Sequence, residues 1–100
     1  MPDAEGGLSE VVWTAPALAN LRAIRTYIEQ FNPMAARRVA DELVAAGTTL
    51  SRFPLRGRSV PGTTLRELVC GYPYIIRYRV NGHEVVILRV RHTDRRPTKR

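Results

Sequence analysis

Hydrophobic and polar positions alternate most clearly in the last third of the chain. Residues 66–92 are rich in β-branched, aromatic and arginine side chains, and Asn81-Gly82 falls between two apolar runs at 74–80 and 85–90. An Asn-Gly pair in that setting is a strong short-range hairpin signal, so two strands meet there. A three-residue loop with Gly82 in the left-handed conformation sorts the side chains better than a two-residue turn, and a slip would send every residue to the wrong face. In that register Tyr74, Ile76, Tyr78 and Val80 share a core face with Val86, Leu88, Val90 and His92. The other face carries Arg77, Arg79, Arg89 and Arg91 around three exposed aliphatics, Ile75, Val85 and Ile87.

Upstream the period changes. Residues 1–9 hold Pro2, Gly6 and Gly7 without periodicity and read as a mobile tail. Glu10-Val11-Val12-Trp13-Thr14 is a short strand ending at an N-cap candidate, and Pro16 suits the first turn of the helix that follows. That helix runs to about Gln30, with Leu18, Leu21, Ile24, Ile28 and Phe31 in one stripe and Tyr27 beside it. Asn32-Pro33 caps and opens a second helix, whose stripe is Ala36, Val39, Ala40, Leu43, Gly47, Leu50 and Phe53, ending at Pro54. So short a connection makes the two helices antiparallel, and Ala36, Ala40 and Gly47 let another backbone come close. Residues 55–63 form an arginine-bearing loop, 64–69 another strand, and 94–100 a basic tail. The predicted order is β-α-α-β-β-β over residues 10–93, an α+β domain with a helical hairpin on one face of a mostly antiparallel four-stranded sheet.

Composition adds a direction to this picture. One hundred residues make one domain. Residues 1–51 carry four basic and six acidic side chains, whereas 52–100 carry twelve basic ones against Glu67, Glu84 and Asp94. All the cations but Lys99 are arginine, the residue suited to bidentate contact with carboxylate or phosphate. The C-terminal half therefore calls for an anionic partner. Cys70 stands alone in an apolar run, which excludes an internal disulfide, suits a reducing cytoplasm and reads as a small buried hydrophobe. No apolar run of transmembrane length, signal peptide, glycine-rich phosphate loop or metal-ligand spacing is present, so no cofactor, metal or membrane is expected.

Several segments, in their order and spacing, carry a family resemblance. They are Val12-Trp13-Thr14-Ala15-Pro16-Ala17-Leu18, Asn32-Pro33-Met34-Ala35-Ala36-Arg37, Phe53-Pro54-Leu55-Arg56-Gly57-Arg58, Arg66-Glu67-Leu68, Tyr74-Ile75-Ile76-Arg77-Tyr78-Arg79 and Val86-Ile87-Leu88-Arg89-Val90-Arg91-His92. Together they resemble the RelE/ParE superfamily of toxins from bacterial type II toxin-antitoxin systems, on the ParE side. The resemblance implies a small toxin that forms a hetero-oligomer with a cognate ParD-like antitoxin encoded beside it, whose acidic, disorder-prone segment wraps the toxin. It also implies a target. ParE-like members poison DNA gyrase, while RelE-like members cut messenger RNA on the ribosome.

The residues weigh those branches unequally. A nuclease needs a base, an acid and cations on one phosphate. His92 is the candidate base nearest the arginines, but it falls on the core-facing side, and Thr93 follows it where RNA-cutting relatives with this histidine commonly carry a tyrosine. The expected reading is a gyrase inhibitor without a catalytic residue of its own. Arg56, Arg58, Arg66, Arg77, Arg79, Arg89 and Arg91 make its electrostatic contacts, and Ile75, Val85 and Ile87 dock the antitoxin. An mRNA endoribonuclease using His92 is the alternative. His83 reads as a solvated turn residue, and Tyr74 and Tyr78 as packing rather than stacking groups; Tyr72 is less constrained.

Overall fold

In the computed structural model, residues 8–70 and 73–93 are described, and both predicted tails lie largely outside them. The elements are β1 (Glu10–Trp13), α1 (Ala15–Glu29), α2 (Pro33–Thr49), β2 (Arg58–Ser59), β3 (Leu65–Val69), β4 (Tyr74–Asn81) and β5 (Glu84–His92). The sheet runs β1-β5-β4-β3-β2, with β1 parallel to β5 and every other pairing antiparallel. Two helices thus cover one face of a mostly antiparallel sheet, as predicted, and the two-residue β2 adds a fifth strand inside the expected loop.

Local chemistry sets the helix starts. Thr14 Oγ1 accepts from the Ala17 N–H at 3.2 Å and Asn32 Oδ1 from the Ala35 N–H at 3.1 Å, with Pro16 and Pro33 in the first turns, where a missing N–H costs nothing. The buried side of α1 is rotated from the predicted stripe: Ala17 is buried, Leu21 and Ile24 pack on the core, and Leu18, Tyr27 and Phe31 are exposed. Phe31 instead meets Tyr27 edge to face at 5.5 Å. Helix α2 stops at Thr49 rather than at Pro54, so Leu50 enters the core while Phe53 leaves it. At Gly47 it is a side chain and not another backbone that comes close, since a Cβ there would lie 2.6 Å from the Trp13 ring.

The core is Ala17, Leu43, Leu50, Leu68, Ile76, Tyr78, Val85, Ile87 and Val90. Burying a large aliphatic side chain stabilises by roughly 1.5–3 kcal/mol, so this cluster is the main source of stability.

The hairpin register differs from the expected one. The turn is two residues long, Gly82-His83, between the paired Asn81 and Glu84. Gly82 has φ 62° while His83 keeps negative φ, the pattern of a glycine-first two-residue turn. Tyr78 faces Ile87, but one step on Arg77 faces Arg89, so Leu88 is an extra residue bulged out of β5. Before the bulge Val85 and Ile87 point into the core; after it Val90 and His92 do, as predicted. The α1 region holds this irregularity from afar. Thr14 Oγ1 donates to the Ile87 carbonyl at 2.9 Å, and past the end of β1 the Val90 N–H donates to Asn20 Oδ1 at 3.0 Å.

Candidate functional site

The bulge decides which residues the open face of the sheet displays. Val85 and Ile87, expected there as antitoxin contacts, are wholly buried at 0% exposure beneath the helices. Ile75 keeps its predicted face but is only 8% exposed. Aliphatics on that face are Val86 and Leu65, which flank Arg79 from the neighbouring strands, Val12 beside Val86, and the exposed Val69 opposite Ile75.

The arginines fall into two groups on opposite sides of the sheet. Arg58, Glu67, Arg77 and Arg89 are successive cross-strand neighbours over β2, β3, β4 and β5, so they form one row across the open face. Adjacent strands are about 4.8 Å apart, which sets the spacing of their backbones. Arg79 belongs to the next row and Arg91 to the row with Ile75. Within the main row Arg77 Nε and Nη2 both donate to Glu67 Oε2, at 3.0 and 2.5 Å, and Arg58 Nη2 lies 3.6 Å from Oε1. The Arg77 hydrogen bonds outweigh the cost of burial and, with the nearby Arg91 and Arg58 charges, hold the Glu67 carboxyl below its ordinary 4.5.

Sequence reasoning did not single out Glu67, although its place opposite Arg77 follows once β3 and β4 are paired. Glu67 is the carboxylate set among Arg58, Arg77, Arg79, Arg89 and Arg91, while Glu10 and Glu84, on the same face, neighbour each other at the hairpin-turn end. Arg77 and Arg89 sit directly opposite each other. Like charges so placed repel, and an added carboxylate or phosphate would relieve them.

Arg56 and Arg66 are elsewhere, on the helix-bearing side, in or against the 53–58 loop. Arg66 Nη1 donates to the Gly57 carbonyl at 2.6 Å, so this guanidinium clamps the loop instead of facing solvent as an anion site. Tyr78 completes the clamp. Its hydroxyl accepts from the Gly57 N–H and donates to the Pro54 carbonyl, both at 2.8 Å. Burial raises the phenol's pKa and keeps the donating proton in place. A Cβ on Gly57 would lie 2.7 Å from that hydroxyl and 2.9 Å from the Glu67 carbonyl oxygen, so glycine is required by space.

His92 pairs with Tyr74 at the far end of the hairpin, their rings edge to face at 5.2 Å. With Ala23, Ile24 and Tyr27 they line a small cavity of about 100 Å³ on the helix side. Tyr74 and Tyr78 are therefore packing residues, as predicted, while Tyr72 lies outside the described residues. Burial pushes the Cys70 thiol up to about 11, which leaves it a neutral group packed against the core. Among the described residues no three His, Cys, Asp or Glu side chains converge on a metal position, and no helix is long and apolar enough to cross a membrane.

Comparison with known proteins agrees with this architecture. The family model described as the ParE toxin of the type II toxin-antitoxin system parDE matches residues 11–97. Toxin RelE2 of Caulobacter vibrioides is 51% identical over 88 residues, covering 88% of this chain and 99% of that protein. Toxin RelE1 of the same organism is 36% identical, covering 79% and 94%. Among solved structures, a chain of the chromosomal ParDE system from P. aeruginosa superimposes with a TM-score of 0.80 at 25% identity, over 87% of this chain and 98% of that one. A chain of the RelBE2 toxin-antitoxin complex of Mycobacterium tuberculosis gives 0.62 at 28%, over 87% and 94%. The hairpin of helices, the bulged last strand and the arginine row are thus carried on the fold of a known group, and the chain belongs to the ParE toxin family of type II toxin-antitoxin systems.

Proposed function

We propose that this toxin acts by binding, as an inhibitor of DNA gyrase in the cytoplasm, and is held inactive in a hetero-oligomer with a ParD-like antitoxin. The observation that carries this reading is the separation of His92 from the arginine row. His92 lies on the helix side against Tyr74, while Arg77, Arg79, Arg89 and Arg91 lie on the open face. Cleavage by a ribose 2′-hydroxyl requires base and cations around the same phosphate, so this division supports an inhibitor over an RNA-cutting enzyme. The other histidine, His83, is exposed in the hairpin turn at the opposite end.

The open face suits the antitoxin. Guanidinium groups alternate there with Ile75, Leu65 and Val86, and no described aromatic side chain is available on it for stacking on bases. An acidic segment with interspersed apolar residues, folding as it binds, satisfies both kinds of position. The chains superimposed above come from a ParDE system and a RelBE2 complex, which supports a partner of this kind. The test is His92→Ala, induced in a bacterial host. The inhibitor reading expects growth arrest close to that of the wild type from a folded variant. Loss of arrest with an unchanged melting temperature would move His92 into a catalytic role and support the nuclease.

A further inference from the structure

The 53–58 loop carries an exposed apolar projection that the open sheet face does not include. Phe53 is 57% and Leu55 64% exposed, and with Thr49, Pro54 and Arg56 they line a shallow cavity of about 630 Å³. The chain spends buried polar groups to hold that projection still. The Tyr78 hydroxyl bridges Gly57 and Pro54, Arg66 grips the Gly57 carbonyl, and Arg56 Nη1 donates to Thr49 Oγ1 at 2.9 Å. A loop fixed at both ends with its large apolar side chains facing outward is preorganised, so a partner need not meet the entropy of ordering it. Isolated exposed apolar residues are ordinary, but a clamped cluster rimmed by charge marks an interaction surface.

We propose that Phe53, Leu55 and Arg56 form a second recognition surface, which takes an apolar segment flanked by carboxylates on the protein that the toxin attacks. The proposal rests on the toxin reading above and adds the surface by which the attack is made. Charge selects the occupant. Arg52 and Arg56 flank the projection along the chain, and no carboxylate belongs to the 51–58 segment. A second copy of the same patch would bring these cations face to face, so self-association is disfavoured. Position separates this surface from the antitoxin's, because the loop lies over the helix-bearing side of β3 and β4 and the arginine row lies on the other. The projection is also formed in the chain by itself, as the free toxin requires.

Two variants test it, Leu55→Asp and Leu55→Ser, each compared with wild type for growth arrest on induction, for melting temperature, and for co-purification with the antitoxin encoded beside the toxin gene. Leu55 is exposed, so both variants should fold and melt within a few degrees of wild type. The expected result is at least a tenfold rise in the inducer level needed for arrest, larger for Asp than for Ser, with capture by the antitoxin unchanged. Undiminished arrest in both variants would overturn the proposal. So would loss of antitoxin capture together with arrest, which would make the patch part of the antitoxin's site. Wild type that fails to arrest growth would remove the toxin reading itself, and this proposal with it.

Discussion

Replacing Tyr78 by Phe changes one buried oxygen and tests how the 53–58 loop is held. The hydroxyl accepts from the Gly57 N–H and donates to the Pro54 carbonyl, each at 2.8 Å. Tyr78 is 0% exposed, so its ring remains packed when the oxygen goes. Losing a hydrogen bond whose partner can turn to water costs about 1 kcal/mol, whereas stranding a buried donor costs about 1–3 kcal/mol. The Gly57 amide is buried and would be stranded, whereas Pro54 is half-buried and its carbonyl can reach water. The expected cost is therefore about 2–4 kcal/mol. For a domain of this size each kcal/mol lowers the melting temperature by roughly 4–8 °C, so Tyr78→Phe should melt at least about 8 °C below wild type. Circular dichroism measures the melt, and hydrogen exchange at the Gly57 amide reports the local effect. A variant within about 0.5 kcal/mol of wild type, with the Gly57 amide still protected, would refute the argument that this hydroxyl holds the loop.

Three further substitutions probe other parts of the structure. Asn20→Ala strands the Val90 N–H beside the bulge and should cost about 1–2 kcal/mol in urea denaturation, with cross-strand contacts around Leu88 altered in the NMR spectrum. Ile87→Ala should cost about 2–5 kcal/mol, because Ile87 is a core residue and not a docking residue; a stable variant that merely lost its antitoxin would contradict the register. Glu67→Gln tests the ion pair with Arg77. A carboxyl held below its ordinary value contributes stability above pH 4.5 that is lost as pH falls through its folded-state value, so the stability of wild type should decline more steeply below about pH 4.5 than that of the Gln variant. Equal slopes in acid would mean that Glu67 gains little from its arginines.

The helix starts, the hairpin and the sheet's general order were legible in the sequence because their causes are local. Thr14-Ala15-Pro16 and Asn32-Pro33 announce helix starts within three residues, and Asn81-Gly82 marks the turn to within one position. The register of β5 was not legible, since it depends on Thr14 and Asn20 binding a strand some seventy residues away. That single bulge exchanges Val85 and Ile87 for Val86 on the open face. Charge alone could not say which arginines act together. Arg66 and Arg77 look equivalent in the sequence, yet one step of strand alternation sends Arg66 to the loop clamp and Glu67 to the row beneath Arg77. The exposure of Phe53 was hidden by a helical spacing that continued on paper after the helix itself had stopped at Thr49.

Inhibition of gyrase, as opposed to cleavage of messenger RNA, is the claim on which the functional account turns. The most direct measurement is induction of this toxin alone in a bacterial host, followed within minutes by parallel assay of the DNA damage response and mapping of transcript ends. The account predicts an early damage response with transcripts intact. Transcripts cut at codon-phased positions, with no damage response, would contradict it.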